Sequence, residues 1–234
     1  MTYLKQVVIL AGGKGTRMKE MTSDLPKPMV PIGGMPVIDH LIKIFNTFDK
    51  FEFIVCSGYL GNIIEKHYKG IKNVKVIFTG DETQTGGRIK KIEDYLDDRF
   101  LVTYGDGLAN VNINKLVNFH KDNNKIGTIT ATQPISRFGL IDFNKKGEVK
   151  TFIEKPKLSD FINIGFMVFE KEFTEYLNKD SILESDPLIK LAKNRELFAY
   201  QHNGYFEPMD TYREYLHMNS LWESGKAPWV TIDE

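Results

Sequence analysis

A glycine-rich turn follows the first apolar run of the chain, and two cationic side chains come shortly after it. Residues 7–10 are apolar and rich in β-branched side chains, a composition typical of a buried strand. The next residues include Gly12, Gly13 and Gly15. Because glycine has no Cβ, such a turn can bring backbone N–H groups against a ligand, and Arg17 and Lys27 add positive charge. This combination suits a triphosphate; a tight turn that binds nothing is the alternative.

Two well-known phosphate-binding loops do not match this turn. The P-loop requires a glycine, four residues and then Gly-Lys-Ser/Thr, and this string occurs nowhere in the sequence. The dinucleotide fingerprint G-x-G-x-x-G matches Gly13 and Gly15, but Met18 takes the place of the third glycine. The second apolar run ends at Ser57 instead of an acidic residue. The sequence therefore argues against a dinucleotide-dependent oxidoreductase.

Two aspartates are candidate ligands for a divalent cation. Asp106 follows the apolar run at 100–104 and stands between two glycines, which leave its carboxylate unobstructed. Mg²⁺ takes carboxylate oxygens together with substrate phosphates, and Asp210 could supply a second carboxylate. A plain turn at Asp106 and a helix cap at Asp210 are the alternatives. Spacing alone does not join the two residues.

Other polar residues at the ends of predicted elements could bind phosphates or hydroxyl groups. Pro156 favours an extended conformation at Lys155, whose ammonium could hold a phosphate. Asn163 and Gly165 offer an amide and a bare backbone to sugar hydroxyls. The segment at 85–88 combines a hydroxyl, two glycines and a cation at a helix start, which suits a nucleotide or a phosphate. A surface lysine and ordinary turn residues are the alternatives.

Composition limits the class of protein. The 234 residues carry 31 basic and 31 acidic side chains, so we expect no broad surface for nucleic acid or an anionic membrane. The single cysteine, Cys56, lies in an apolar run and is expected in the core rather than as a nucleophile. The five histidines show no metal-ligand spacing. No apolar run is long enough for a signal peptide or a membrane span, and we expect a cytoplasmic protein.

Strand-like and helix-like segments alternate in the first half of the chain. The predicted strands are 6–10, 53–57, 74–78 and 100–104. One predicted helix has Pro36 in its first turn, and two others cover 62–68 and 88–96. This alternation predicts an α/β fold with a mixed, mostly parallel sheet and helices on both faces. Ligands of such sheets bind beyond the carboxyl ends of the strands, where the glycine-rich turn and Asp106 are expected.

The second half of the chain is less regular. The predicted strands are 125–133, 138–143, 149–153, 163–169 and 197–202, and the predicted helices are 171–178, 187–194 and 211–224. No linker or repeat marks a boundary. We therefore predict a single domain over 1–234, with a nucleotide-binding half at about 1–110 and an acceptor-binding half at about 111–234.

The segment at 10–17, together with Lys27 and Pro28, resembles the first motif of the sugar-1-phosphate nucleotidyltransferase family, whose fold is Rossmann-like. The resemblance implies catalytic roles for Arg17, Lys27 and Asp106, and Mg²⁺ held by Asp106 and Asp210. It implies a nucleotide site formed by Leu10, Ala11, Gly12, Gly13, Gly15, Thr16, Thr85, Gly86, Arg88 and Gly105. It implies an acceptor site formed by Tyr104, Gly139, Glu154, Lys155, Asn163 and Gly165.

Within that family the chain is similar to the cytidylyltransferases. The likeness rests on the segments 85–91, 104–107, 137–139 and 208–213. It implies that CTP and a sugar 1-phosphate, glucose 1-phosphate above all, give a CDP-sugar and pyrophosphate in a homo-oligomeric enzyme. Transfer from UTP or dTTP, or cytidylyl transfer to another phosphorylated acceptor, is the alternative. A nucleotide-sensing regulatory subunit would be expected to lack the metal carboxylates or the lysine, and this chain has them.

Overall fold

The computed structural model describes residues 4–231, in which strands and helices alternate along the first half of the chain. The strands in this range are β1 (Gln6–Ala11), β2 (Pro31–Ile32), β3 (Met35–Pro36), β4 (Glu52–Ser57), β5 (Val74–Phe78), β6 (Arg99–Tyr104), β7 (Gly107–Ala109), β8 (Gly127–Thr132), β9 (Leu140–Phe143), β10 (Val149–Ile153), β11 (Ile162–Asn163), β12 (Met167–Glu170), β13 (Leu197–Gln201) and β14 (Phe206–Pro208). The α-helices are α1 (Lys19–Thr22), α2 (Val37–Asn46), α3 (Gly61–Tyr68), α4 (Thr85–Lys91), α5 (Ile113–Asn123), α6 (Asp186–Lys193) and α7 (Tyr212–Glu223).

The central sheet has eight strands in the described part of the chain, and β1 lies in its middle. Strands β4 and β6 flank β1 in parallel, and β5 continues the sheet beyond β4. Beyond β6 the direction changes, because β12 pairs antiparallel with both β6 and β8. Strand β13 pairs in parallel with β8, and β11 pairs with β8 in the opposite direction. The predicted mixed, mostly parallel sheet is confirmed.

Both faces of this sheet are buried. On β1, Val7 and Ile9 belong to one hydrophobic core and Val8 and Leu10 to another, since successive side chains of a strand point to opposite faces. Helices α2, α5 and α7 contribute to the first core, and α4 and α6 contribute to the second. A sheet covered on both faces needs continuous apolar strands, and this explains why the run at 7–10 shows no polar alternation.

The structure differs from the sequence prediction at several element boundaries. The predicted helix 88–96 is replaced by α4 and a 3₁₀ turn at Glu93–Tyr95, and 171–178 is a 3₁₀ helix at Lys171–Tyr176. The predicted strand 163–169 divides into β11 and β12, because Gly165 and Phe166 between them have φ of 80° and 51°. Helix α5 was not predicted, although Asn112 caps it by accepting a hydrogen bond from the Lys115 N–H at 3.0 Å.

Two other expectations concern the interior and the membrane. Cys56 is fully buried on β4, and burial raises the pKa of its thiol to about 12, so its expected place in the core is confirmed. None of the helices described between residues 4 and 231 has the length and apolarity that crossing a membrane requires.

The aromatic cluster around Phe45 gives a test of the first core. Phe45 is fully buried and its ring packs against those of Phe51, Phe53 and Phe166. We expect Phe45→Ala to lower the free energy of unfolding, measured by urea denaturation, by about 3–5 kcal/mol. Phe78→Ala is the matched control, because this ring is 65% exposed and its loss should cost less than about 0.5 kcal/mol. Equal losses for the two variants would contradict this assignment.

Candidate active site

A cavity of about 290 Å³ opens at the carboxyl ends of β1 and β6. The glycine-rich turn supplies Leu10, Ala11, Gly12, Gly13, Gly15, Thr16 and Arg17 to its wall. The rest of the wall consists of Lys27, Pro28, Thr83, Gln84, Thr85, Arg88, Tyr104, Gly105 and Asp106. Every residue predicted for the nucleotide site lines this cavity except Gly86, whereas Thr83 and Gln84 were not predicted. The cavity lies where parallel sheets bind ligands, beyond the ends of their strands.

The Arg88 guanidinium holds the glycine-rich turn in place. Its Nη2 donates to the Gly12 carbonyl at 2.8 Å. Its Nη1 donates to the Ser57 carbonyl at 3.0 Å, the Thr79 hydroxyl at 2.7 Å and the Gly80 carbonyl at 2.8 Å. Arg88 is buried, and burial lowers its pKa from the ordinary value, although an arginine stays charged in proteins. Arg88 thus joins the turn after β1 to the ends of β4 and β5.

Different structural constraints apply at the three glycines of the turn. A Cβ on Gly12 would lie 2.0 Å from Nη1 of Arg88, so a larger residue cannot coexist with that guanidinium. Gly15 has φ of 62°, and a Cβ there would also lie 3.0 Å from Cγ2 of Thr22. A Cβ on Gly13 would meet no described atom within 4 Å, because this residue faces the open cavity. Only Gly12 and Gly15 are therefore required by the protein itself.

The two glycines of α4 seat that helix against the loop that precedes α6. A Cβ on Gly86 would lie 2.9 Å from Ser181, and one on Gly87 would lie 2.3 Å from the Lys179 carbonyl oxygen. The Gly87 N–H also donates to the Ser181 carbonyl at 2.9 Å. The close packing explains both glycines without a ligand, and the role of Gly86 in a nucleotide site remains a prediction.

Glu184 links two walls of the cavity and was not recognised in the sequence, where no motif marks it. Its carboxylate accepts hydrogen bonds from the Thr85 hydroxyl at 2.8 Å and from the Tyr104 hydroxyl at 2.5 Å. Burial and the neighbouring Glu184 charge raise the pKa of Tyr104 well above its ordinary value. Tyr104 is therefore a neutral hydrogen-bond donor at any physiological pH.

Lys27, Asp106 and Asp210 form a partly buried charged cluster beside the cavity. The Lys27 ammonium donates to Oδ2 of Asp106 at 2.5 Å and to Oδ1 of Asp210 at 2.7 Å. The more exposed Arg17 donates from Nη1 to Oδ2 of Asp210 at 2.7 Å. Two positive and two negative charges therefore meet in a set with no net charge, built from three distant parts of the sequence.

A short antiparallel ladder brings the two aspartates together. Strand β14 pairs with β7, so that Pro208 lies opposite Gly107. Just beyond the ladder, the Met209 N–H donates to the Asp106 carbonyl at 2.8 Å. Two strands of three residues each thus bring residues 106 and 210 together, which their spacing in the sequence could not show.

The cluster favours the ionised forms of Lys27 and Asp210. Burial by itself would lower the pKa of Lys27, but the charges and hydrogen bonds of Asp106 and Asp210 outweigh it and raise the pKa. Burial would raise the pKa of Asp210, but Lys27 and Arg17 lower it below the ordinary value. Both shifts follow from the close approach of opposite charges in a partly buried position.

The donor set fits a magnesium ion that arrives with phosphates. Oxygens of Asp106 and Asp210 converge on one point, where the Lys27 ammonium lies. Within residues 4–231, no group of three or more acidic, histidine or cysteine side chains is arranged to hold a metal ion. Mg²⁺ is commonly bound by one or two carboxylates plus waters and substrate phosphates, so two aspartates suffice.

Two of the predicted acceptor residues lie against Tyr104. Asn163 accepts a hydrogen bond from the Gly165 N–H at 3.0 Å. Gly165 has φ of 80°, and a Cβ there would lie 2.9 Å from the Tyr104 ring. The tight turn between β11 and β12 therefore packs on the wall of the cavity.

The other predicted acceptor residues stand apart from the described cavity wall. Gly139, Glu154 and Lys155 flank the β9–β10 hairpin. The expected extended conformation of Lys155 is wrong, because its φ is 45°, in the left-handed region. Its ammonium is half exposed and lies 3.5 Å from Oε1 of the adjacent Glu154. The structure thus brings the nucleotide residues together but leaves these three outside the cavity.

Glu214 fixes the backbone that carries Asp210. Its carboxylate accepts hydrogen bonds from the N–H groups of Asp210 at 2.8 Å and Thr211 at 2.9 Å. Thr211 caps α7 in return, so the two residues form a capping box, and Arg137 donates to Glu214 at 2.5 Å. The pattern Thr-x-x-Glu at 211–214 is the sequence signal that could have identified Glu214 as a positioning residue.

Comparison with known proteins agrees with this geometry. The family model described as nucleotidyl transferase matches residues 6–221. The glucose-1-phosphate cytidylyltransferase of Salmonella typhimurium is 40% identical, over 97% of this chain and 99% of that protein. A Bacillus subtilis protein named as a probable glucose-1-phosphate cytidylyltransferase is 37% identical over 96% of this chain and 98% of its own. HddC from Yersinia pseudotuberculosis, solved also in complex with GMP-PN, has a TM-score of 0.73 at 26% identity, covering 94% of this chain and all of that one.

The hydrogen bond from Arg88 to the Gly12 carbonyl predicts that substitutions at Gly12 and Gly13 have unequal effects on stability. We expect Gly12→Ala to lower the free energy of unfolding by about 1–3 kcal/mol, because the new methyl group displaces a buried guanidinium. Gly13→Ala is the matched control and should change the stability by less than about 0.5 kcal/mol. Both are measured by urea denaturation without any ligand. If Gly12→Ala were as stable as Gly13→Ala, Arg88 would not restrain the turn.

Proposed function

Because the chain belongs to the nucleotidyl transferase family, we propose that it transfers a cytidylyl group from CTP to a sugar 1-phosphate, glucose 1-phosphate above all. The observation that carries the proposal is the cluster of Lys27, Asp106 and Asp210 beside the cavity of the glycine-rich turn. This cluster supplies both a cation for phosphate oxygens and carboxylates for a metal ion. The choice of CTP and of the sugar rests on the relatives in Salmonella typhimurium and Bacillus subtilis.

The proposed reaction is an in-line displacement at phosphorus. A phosphate oxygen of the acceptor attacks the α-phosphorus of CTP and forms a new P–O bond. The bond from the α-phosphorus to the bridging oxygen breaks, and the electron pair leaves with pyrophosphate. The attacking oxygen is already anionic, so no general base is needed, and catalysis consists of positioning and charge stabilisation.

The charged cluster can serve this reaction by exchanging partners. In our proposal the Lys27 ammonium moves from the carboxylates to the α-phosphate, and the Arg17 guanidinium moves to the leaving phosphates. Asp106 and Asp210 are then free to hold Mg²⁺, which when bound neutralises charge on the phosphate oxygens. The glycine-rich turn lines the space for the phosphates.

The acceptor is assigned to the second half of the chain. We propose that Lys155 binds its phosphate and that Asn163 binds its hydroxyl groups beside Tyr104. Residues 1–110 would then bind the nucleotide and residues 111–234 the acceptor, within a single domain. We place the reaction in the cytoplasm, where a reduced thiol such as that of Cys56 persists.

A substrate panel tests the proposal. Pyrophosphate release is measured with CTP, UTP, dTTP, ATP and GTP, each against glucose 1-phosphate and a series of other phosphorylated acceptors in the presence of Mg²⁺. We expect CTP with glucose 1-phosphate to give the highest kcat/KM. A higher kcat/KM with UTP or dTTP would replace the nucleotide assignment, and a different best acceptor would replace the sugar. Absence of turnover with every pair would contradict the function as a whole.

Removing one metal carboxylate should affect the reaction far more than the fold. We expect Asp106→Asn to lower magnesium-dependent kcat/KM by about a hundredfold or more, because the amide cannot balance the charge of the cation. Asp122→Asn, on the exposed part of α5, is the matched control with unchanged kcat/KM. Circular dichroism checks that both variants fold. Full activity of Asp106→Asn would remove this residue from the proposed metal site.

A further inference from the structure

Glu184 ends a series of hydrogen bonds that crosses the wall of the cavity. The amide oxygen of Asn163 accepts from the Gly165 N–H at 3.0 Å, so the amide nitrogen of Asn163 faces the other way and donates to the Tyr104 hydroxyl. The Tyr104 hydroxyl donates in turn to Oε1 of Glu184 at 2.5 Å. Every donor in this series therefore points toward the Glu184 carboxylate.

The same carboxylate receives a second hydrogen bond from helix α4. Its Oε2 accepts from the Thr85 hydroxyl at 2.8 Å, and that hydroxyl accepts from the Leu183 N–H at 2.9 Å. Leu183 is fully buried in the second core, so the residue before Glu184 is fixed by packing as well. The carboxylate is thus held in one place before any ligand arrives, which lowers the entropic cost of using it for recognition.

Part of this carboxylate remains available to a ligand. An ionised carboxylate has about four lone-pair sites, and the described hydrogen bonds of Glu184 occupy two of them. Glu184 is exposed, and the two side chains that donate to it, Thr85 and Tyr104, line the cavity. The free lone pairs accept hydrogen bonds, and the negative charge repels a phosphate. The ligand group that fits this position is therefore a donor, such as a hydroxyl group.

We propose that Glu184 determines the specificity for the acceptor by accepting a hydrogen bond from a hydroxyl group of its sugar ring. The inference rests on the proposed function and adds to it a residue outside the predicted acceptor site. A sugar 1-phosphate has hydroxyl donors around the ring and negative charge at one end. The Glu184 carboxylate favours the ring beside Tyr104 and Asn163 and leaves the phosphate to cationic side chains. An acceptor that lacks the matching hydroxyl leaves the carboxylate without this donor, which weakens binding.

The amino group of cytosine is the other neutral donor that the proposed substrates present. Tyr104, however, joins Glu184 to Asn163, and the ring of Tyr104 packs on the turn at Gly165. Asn163 and Gly165 are the two predicted acceptor residues that lie at the cavity. We therefore assign the free lone pairs of Glu184 to the acceptor rather than to the base.

Deoxy analogues of glucose 1-phosphate test this assignment. The kcat and KM are measured with CTP and Mg²⁺ for glucose 1-phosphate and for analogues that each lack one ring hydroxyl group. We expect the wild type to prefer glucose 1-phosphate over one analogue by about tenfold or more in kcat/KM, and Glu184→Ala to lose this preference through a higher KM for glucose 1-phosphate. Glu175→Ala is the matched control, because Glu175 is exposed on the 3₁₀ helix at Lys171–Tyr176, and it should keep the wild-type preference.

The same measurements separate recognition from a merely structural role. A loss of kcat/KM by the same factor for glucose 1-phosphate and every analogue would show that Glu184 only supports the wall, and a wild-type preference in Glu184→Ala would also overturn the proposal. An altered preference for CTP over UTP, with the acceptor preference unchanged, would assign Glu184 to the base instead. Circular dichroism checks folding, and Glu184→Gln replaces Glu184→Ala if the latter does not fold.

Failure of this inference is distinct from failure of the proposed function. Absence of wild-type turnover with every pair of the substrate panel contradicts the proposed function, and the role of Glu184 falls with it. An active wild type that does not discriminate among the deoxy analogues contradicts the role of Glu184 alone.

Discussion

The position of one ammonium group between two carboxylates is the constraint on which the site depends. Asp106 and Asp210 would repel each other if the Lys27 cation did not lie between them. To bring the three together, the chain must place the end of β6, the end of β14 and the turn around Lys27 at one edge of the sheet. Strand β6 leads into Asp106, the small β7–β14 ladder brings Asp210 beside it, and the 3₁₀ turn at Lys27–Met29 supplies the ammonium.

The arrangement also explains why the sheet is mixed. The parallel strands β1 and β6 form the cavity at their carboxyl ends, and β4 and β5 extend the parallel part of the sheet. The antiparallel β12 then directs the chain back along β6, so that the turn carrying Asn163 and Gly165 packs on Tyr104. A purely parallel sheet would place that turn elsewhere. The change of strand direction thus brings the second half of the chain to the cavity made by the first.

Local patterns in the sequence predicted much of this structure, but they did not predict the contacts between residues that are distant in the sequence. The apolar runs of β1, β4, β5 and β6 are long enough to show a buried strand. The β7–β14 ladder has only three residues in each strand and shows no periodicity in the sequence. The sequence therefore did not show that Asp106 and Asp210 lie close together. Arg88 was assigned to a ligand because of its charge, but its described hydrogen bonds go to backbone carbonyls and a hydroxyl, which no local pattern indicates.

The hydrogen bond from Arg88 to Gly12 affects how much conformational entropy the turn would lose when a ligand binds. A glycine-rich turn is the most flexible kind of backbone, and ordering it when a ligand arrives would oppose binding by a loss of conformational entropy. Here the hydrogen bond from Arg88 to Gly12 orders the turn when the chain folds. The protein therefore meets the entropic cost through burial of a guanidinium during folding. A ligand of this turn would meet a preorganised surface, and its binding would be opposed by a smaller loss of conformational entropy.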